Sequence, residues 1–319
     1  MRIGVLGAAR IAPAAIVKPA GSVEGVEVAA VAARDLTRAE AFAAKHGIPK
    51  AYGSYEQLLH EVDAVYIALP NALHAEWTLK AIEAGRHVLC EKPFTANAAE
   101  AAQVTDAAEA SGVTVMEAFH YRYHPLAEKM LEVVGDLGNV ESVETSLCFP
   151  LPRFGDIRYD LSLAGGATMD AGCYAIHCLR LLGPGLPKVV AAEAKLRSAG
   201  VDRAMRAEFA FPTGATGRIT TSMWSWNVLG VNVKVVGSRG ELKVVNYAMP
   251  HLFHRLSARV DRERWAERVP GEATYVHQLR AFAAAAGGDT KANLTPPADA
   301  IVTMSLIDDV YRAAGLRPR

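Results

Sequence analysis

The sequence predicts an α/β protein in two parts, a doubly wound parallel sheet followed by a domain built on a large, mostly antiparallel open-faced sheet. Two observations carry this. From Arg2 to Met116, short apolar runs alternate with amphipathic stretches in a βαβα rhythm. From Asn139 onward the apolar runs lengthen, and Pro212-Thr213-Gly214 and Gly237-Ser238-Arg239-Gly240 read as hairpin links. A boundary near residue 120 gives domains of 1–119 and 120–319, each long enough to bury a core.

Composition narrows the function. Lys+Arg and Asp+Glu are equal at 34 each, so no field of one sign draws nucleic acid or an anionic membrane, and the expected partner is a small molecule. No run approaches the roughly 18 apolar residues of a membrane span. The apolar run at the N-terminus is cut by Gly7, too early for a secretion signal, and a cytoplasmic location is expected. Cys90, Cys148, Cys173 and Cys178 lack metal or disulfide spacing and read as buried small side chains.

The first strand, Arg2 to Leu6, runs into Gly7-Ala8-Ala9-Arg10-Ile11-Ala12, the place of a G-x-G-x-x-G dinucleotide fingerprint. Gly7 can make the tight turn, Ala9 still admits a pyrophosphate, and Ala12 lets the following helix pack closely. A second strand, 26–33, ends without the acid that usually binds the ribose 2′-hydroxyl of NAD. Arg34 stands there, with Arg38 one turn on, as expected for the 2′-phosphate of NADP; a solvated loop before a helix capped by Thr37 with Glu40 is the plainer alternative.

Helices at 38–46 and 55–61, a short strand near Ala51 and a strand at 64–69 continue the rhythm. Leu69-Pro70-Asn71 and His74 then fall on the ligand edge of the sheet, where Asn71 could equally cap a helix and His74 could be a surface residue. Helix 75–84 leads to the strand Val88-Leu89-Cys90, which stops at Glu91-Lys92-Pro93, placing a lysine at a strand end. Helix 97–111 and strand 113–116 close the domain. Phe119 to Pro125 is aromatic and basic, with Arg122 a candidate for a substrate cleft; His120 and His124, without a third ligand, make no metal site.

In the second part, strands are expected at 139–148, 188–197, 203–211, 216–224, 229–236 and 240–247, and helices at 272–286 and 298–314. Phe209, Phe211, Trp224 and Trp226 would leave one sheet face apolar, and a homodimer or homotetramer through it is expected. Ahead of these strands, the glycine pair Gly165-Gly166 opens a helix in which Asp170, Tyr174 and His177 are spaced by four and three, one face of a helix. A polar contact between domains would explain that face as well as a catalytic site does, until Lys92 is considered with it.

With Glu91-Lys92-Pro93 following an N-terminal nucleotide fold, and Asp170-x-Gly172-x-Tyr174 opening a helix, the chain resembles the glucose-fructose oxidoreductase and inositol dehydrogenase family (Gfo/Idh/MocA). The runs Ala32 to Leu36 and Ala51 to Glu56 resemble its dihydrodiol and NADP-dependent sugar dehydrogenase branch. The resemblance implies a Rossmann domain, a cis Lys92–Pro93 bond and an oligomer through the second sheet. It departs where the last two fingerprint glycines are alanines and where His177 takes a position often held by other polar residues.

Oxidising an alcohol with NADP, or with NAD as the alternative, requires hydride loss from carbon and proton loss from oxygen. Tyr174 is the candidate base, since an adjacent ammonium at Lys92 would favour its phenolate. Asp170 and His177 would hold neighbouring hydroxyls of a sugar, cyclic polyol or dihydrodiol, with Arg122, Arg158 and Tyr159 in the outer cleft. Gly7 to Ile11, Arg34, Arg38, Leu69, Pro70, Asn71, His74, Glu91 and Lys92 would hold the cofactor. Two other classes fit the same fold: an NAD-assisted glycosidase, marked by retained cofactor without net NADPH formation, and a nucleotide-sensing regulator that binds without turnover.

Overall fold

The computed structural model describes residues 1–153, 155–224 and 230–319, so Trp226 and the start of the strand expected at 229–236 lie outside the described residues. The chain forms two compact units, Met1–Tyr123 with Ala273–Ile301, and His124–Glu272 with Val302–Arg319.

The first unit is built on six parallel strands: β1 (Arg2–Leu6), β2 (Glu27–Ala32), β3 (Lys50–Tyr52), β4 (Ala64–Ile67), β5 (His87–Cys90) and β6 (Val115–Glu117). Their spatial order, β3-β2-β1-β4-β5-β6, reverses direction between β1 and β4, which is where doubly wound sheets open a ligand crevice beyond the carboxyl ends of the strands. After β1 the chain makes a π-type turn, Pro13–Val17, that runs into the one-turn α1 (Lys18–Ala20). Pro19 has no N–H to give to an α-helical ladder, which accounts for the widened turn ahead of it.

Helix α2 (Leu36–His46) starts two residues earlier than its periodicity suggests, because its cap is Asp35, whose carboxylate accepts from Thr37 N; Thr37 does not cap it. Then come α3 (Tyr55–Leu59), α4 (His74–Glu83) and α5 (Ala98–Ser111), capped by Ser54 in α3 and by Asn97 in α5. The segment around Arg122 is a 3₁₀ turn, His120–Tyr123.

In the second unit, α6 (Pro125–Asp136) is a helix beyond those predicted; its buried stripe Leu126, Met130 and Val133 has helical spacing, and His124 caps it. Strand β7 (Val140–Cys148) leads through 3₁₀ turns to a π-type turn, Thr168–Gly172, and α7 (Cys173–Leu182). There follow β8 (Lys188–Ser198), β9 (Val201–Ala210), β10 (Thr216–Ser222), β11 (Gly230–Gly237) and β12 (Gly240–Val245). A further hairpin, β13 (Arg255–Val260) and β14 (Glu263–Glu267), completes the sheet; its arginine-rich, weakly apolar strands carry little sequence signal.

The sheet order is β14-β13-β12-β11-β7-β10-β9-β8, antiparallel except where β7 runs parallel to β10. Helix α7 packs on β7 and β10. Phe209 and Phe211 are buried, at 2% and 4% exposure, among the apolar residues that alternate away from the charged ones, so they do not make the open face apolar. That face instead carries cross-strand charges: Glu193 beside Arg206, Glu208 beside Arg218, Glu144 beside Lys234, and Glu241 beside Arg259. Trp224 is 40% exposed beside Arg203 and Arg206 in a cavity of about 500 Å³.

Two terminal helices remain, α8 (Thr274–Ala286) and α9 (Pro297–Ala313). Helix α8 belongs to the first unit, where Val276, Leu279 and Phe282 join Ile3, Val5, Tyr66, Leu89 and Met116 in one core. Each fully buried side chain of this size contributes about 1.5–3 kcal/mol.

Candidate functional site

In the first unit the predicted cofactor residues gather at the carboxyl ends of β1, β2, β4 and β5. Gly7 N donates to Ala32 O at 2.9 Å, tying the fingerprint loop to the end of β2. Gly7 has φ +102°, and a Cβ there would lie 2.9 Å from Ala68 O, so only glycine fits this turn. Ala8 and Ala9 are half-buried, while Arg10 and Ile11 are exposed. Arg34 is exposed just beyond β2, and Arg38 Nη2 donates to Ala8 O at 3.0 Å, which brings its guanidinium to the fingerprint loop. Arg34 and Arg38 both act on the Tyr55 hydroxyl, where burial pushes the pKa up and the two guanidinium charges oppose it.

This set suits a dinucleotide with a phosphorylated ribose. The Gly7 turn leaves no side chain between the backbone and a pyrophosphate, and Ala33-Arg34 follow the end of β2, so an arginine stands where an acid would repel a 2′-phosphate, while the Asp35 carboxylate is engaged by Thr37 N.

Lys92 stands in a segment held from both sides, at the end of β5. Glu91 N donates to Ile67 O at 3.0 Å and the Glu91 carboxylate accepts from Tyr66 Oη at 2.5 Å. The Lys92–Pro93 bond is cis. Beyond it, Pro93 O meets His74 Nδ1 at 2.7 Å, and Phe94 N donates to Glu117 Oε1 at 2.9 Å.

His74 is thus fully buried rather than a surface residue, and Asn71 opens a 3₁₀ turn with Pro70 in the capping position. The other His74 nitrogen meets Leu69 O at 2.9 Å. Two carbonyls favour a charged ring, but burial is the larger effect and lowers the pKa, so the neutral imidazole donates to only one of them. Glu117, buried at the end of β6, was not among the predicted residues; its signal is an acid closing the apolar run Val115-Met116.

Arg122 is half-buried on its 3₁₀ turn, where His120 stacks on Tyr275 at 4.2 Å and Tyr123 Oη bonds Thr295 Oγ1 at 2.7 Å. His124, in the second unit, caps α6 by accepting from Leu126 N, so each histidine of the pair has a local structural partner.

In the second unit the structure brings Asp170 together with Arg158. Arg158 Nε lies 3.0 Å from Asp170 Oδ2, and its Nη1 lies 3.1 Å from Asp156 Oδ1. The Asp170 charge, then burial working against it, and the Asp156 charge set the Arg158 pKa above its ordinary value. Tyr159 Oη donates to Leu151 O at 3.0 Å, and burial raises its pKa.

Asp170 sits in the π-type turn and Tyr174 in α7, so the expected single α-helical face is broken between them. Tyr174 is 7% exposed and His177 2%. Thr145 Oγ1 donates to Ala175 O at 2.8 Å, fixing this helix to β7. Sequence reasoning missed the groups that hold the turn: Thr168, Asp202, Tyr311 and Arg319.

The first unit is therefore a dinucleotide-binding fold with a clamped lysine at its crevice, and the second offers a buried tyrosine and an acid at one helix opening, the acid paired with Arg158 from a preceding 3₁₀ turn. Residues 1–119 match the model of the "Oxidoreductase family, NAD-binding Rossmann fold", and residues 127–243 match the "GFO/IDH/MocA C-terminal domain". The chain belongs to the Gfo/Idh/MocA family of oxidoreductases.

The chain is similar to D-xylose 1-dehydrogenase (NADP(+)) 2 of Haloferax volcanii, at 40% identity covering 98% of this chain and 97% of that protein. It is similar over a shorter span to trans-1,2-dihydrobenzene-1,2-diol dehydrogenase of Mus musculus, at 38% identity covering 62% and 61%. Among solved structures, a 3-ketoreductase from Actinomadura kijaniata in complex with NADP and TDP-benzene superposes with a TM-score of 0.89, 29% identity and coverage of 98% and 97%. That enzyme has also been crystallised as single variants at one lysine and at one tyrosine.

Proposed function

We propose that the protein is an NADP-preferring dehydrogenase or reductase that interconverts a secondary or hemiacetal alcohol and its carbonyl on a sugar, cyclic polyol or dihydrodiol. The observation that carries this reading is the clamp at the end of β5, where Tyr66, His74 and Glu117 fix both sides of Lys92. A lysine merely solvated in a loop needs no such support. The relatives' printed activities, xylose and dihydrodiol dehydrogenases and a 3-ketoreductase, are all redox steps at a carbon bearing oxygen.

When bound, the nicotinamide supplies the hydride acceptor or donor. The chain's residues do the rest. Tyr174 takes the proton from the alcohol oxygen, or returns it to the carbonyl oxygen, and Lys92 supplies the positive charge that favours the tyrosinate and holds the reacting oxygen. Asp170 and His177 bind neighbouring hydroxyls, with Arg158 orienting Asp170 through their ion pair. Arg122 and Tyr159 border the substrate.

Gly7, Ala8, Ala9, Arg10 and Ile11 line the pyrophosphate; Arg34 and Arg38 take the 2′-phosphate; Leu69, Pro70, Asn71, His74 and Glu91 border the nicotinamide half. Residues 1–119 carry the cofactor, and 120–319 carry the substrate site and a homodimer or homotetramer interface through the open sheet. The alternating charges on that face suit pairing with a second copy of itself.

The reading is tested by following NADPH absorbance with a panel of aldoses and diols. Net NADPH formation is expected with at least one, and hydrolysis of an aryl glycoside without it would favour a glycosidase. Arg34→Asp is expected to weaken NADP by roughly 10- to 100-fold and to leave NAD nearly unchanged, since it exchanges an attractive charge for a repulsive one. Equal loss of both cofactors would contradict the NADP assignment.

A further inference from the structure

The turn that precedes α7 is held by groups far away in sequence, joined in one buried charge network. Asp202, in β9, is fully buried. Its Oδ2 accepts from Thr168 N and from Thr168 Oγ1, both at 2.7 Å. Its Oδ1 accepts from Tyr311 Oη at 3.0 Å and from Arg319 Nη2 at 3.0 Å. The Arg319 side chain is 2% exposed, its Nε donates to Gly165 O at 2.8 Å, and its guanidinium lies 4.0 Å over the Tyr311 ring. A buried carboxylate is costly unless it is paired and hydrogen-bonded, and here the guanidinium, two hydroxyls and an amide do both.

Gly166 carries this network to the candidate site. Its φ is +137°, and the space a Cβ would need is filled, with Asp202 Oδ1 2.2 Å and Arg319 Nη2 2.9 Å away. Gly166 N donates to Arg158 O at 2.8 Å, and Gly166 O accepts from Asp170 N at 3.0 Å. One residue therefore touches the backbones of both Arg158 and Asp170 while resting on the Asp202–Arg319 pair.

We propose that Arg319, acting through Asp202, Gly166 and Thr168, is a positioning residue that sets the π-type turn and so fixes where Asp170 and Tyr174 stand during the reaction. This rests on the reading of Asp170 and Tyr174 as site residues. Arg319 itself does no chemistry. Without its guanidinium, Asp202 is left buried without its cation, which loosens its two bonds to Thr168. A site displaced by about 1 Å can lose roughly 100-fold in rate, so the effect belongs in turnover.

The test compares kcat, KM, NADP affinity and thermal midpoint in Arg319→Met, Arg319→Lys and the pair Arg319→Met with Asp202→Asn. In folded Arg319→Met, kcat is expected to fall about 10- to 100-fold with NADP affinity within about two-fold of wild type. Making Asp202 neutral in the same chain should recover at least about five-fold, because no lone charge is left buried.

In a Tyr174→Phe background, Arg319→Met should cost less than about three-fold, since the group it positions has lost its function. Wild-type kcat in folded Arg319→Met, or a loss that only tracks the folded fraction, would overturn the proposal. Should Arg319→Met not fold, Arg319→Lys decides: it keeps the charge and loses the forked contact to Gly165 and Asp202, so a drop of about 3- to 10-fold supports the proposal and unchanged turnover overturns it. If Tyr174→Phe alone keeps full turnover, the reading of the site has failed, whatever Arg319 does.

Discussion

Lys92 and Tyr174 lie in different units, and the two units support them by different chemistry. Around Lys92 the supports include hydrogen bonds made by the segment itself: Tyr66 donates to Glu91, His74 meets Pro93 O, and Phe94 N donates to Glu117. Around the turn before Tyr174 the support is an ion pair with almost no exposure, Asp202 with Arg319, to which the turn is tied. The first arrangement spreads its support over hydrogen bonds from several elements. The second concentrates it in one charge pair, so it should fail abruptly when any member is changed.

The largest expected effect follows from that concentration. Gly166→Ala would place a methyl group on Asp202 and Arg319 at a positive φ, and is expected to cost about 3 to 5 kcal/mol of stability. Denaturant titration checks it. A cost under about 1 kcal/mol would mean that the network yields, and that the contrast between the two units is wrong.

A smaller effect is a pH dependence at His74, in the first unit. Burial lowers the His74 pKa below the 6.5 of a free ring. The unfolded chain then binds the proton more tightly than the folded one, so the stability His74 contributes is complete above about pH 6.5 and is lost as pH falls toward the folded-state value. Thermal unfolding at a series of pH values should show the midpoint falling below about pH 6.5, and His74→Gln should flatten that fall. An unchanged slope in His74→Gln would assign the pH response to other groups.

Much of the first unit was legible in the sequence because its signals are local. Gly7 after an apolar run, Arg34 at the end of β2 and Glu91-Lys92-Pro93 at the end of β5 each stand beside the strand that positions them. The return of α8 onto that sheet carries no such signal, because a generic apolar helix fits many surfaces. In the second unit, Asp202 lies just ahead of the strand expected at 203–211 and gives no sign in the sequence of being buried. The pairing of β8 with β9 shifts register between Lys195 and Leu196 and again between Leu196 and Ser198, and Val201 and Asp202 are both buried there, against the alternation. Arg319 is separated from Asp202 by more than a hundred residues, so no spacing rule could join them.

The same limit applies to the helix opening. Asp170 and Tyr174 have α-helical spacing in the sequence, yet the turn between Thr168 and Gly172 is of the wider π type. Glycine at Gly172, and the anchoring of Thr168 on Asp202, allow a widened turn that periodicity alone does not reveal. Likewise Phe209 and Phe211 were legible as strand residues, but which face they occupy depends on where α7 packs.

Under the proposed function Lys92 and Tyr174 serve the same proton transfer, and a double-mutant cycle on kcat for one active substrate, with NADP affinity measured alongside, tests that role. Tyr174→Phe is expected to lower kcat by about 10² to 10⁴ and leave NADP affinity nearly unchanged, and Lys92→Met to do at least as much. The double variant should be little worse than the more damaging single one, because removing either partner already disables the pair. Near-wild-type turnover in Tyr174→Phe, or full additivity in the double variant, would contradict a shared role for Lys92 and Tyr174.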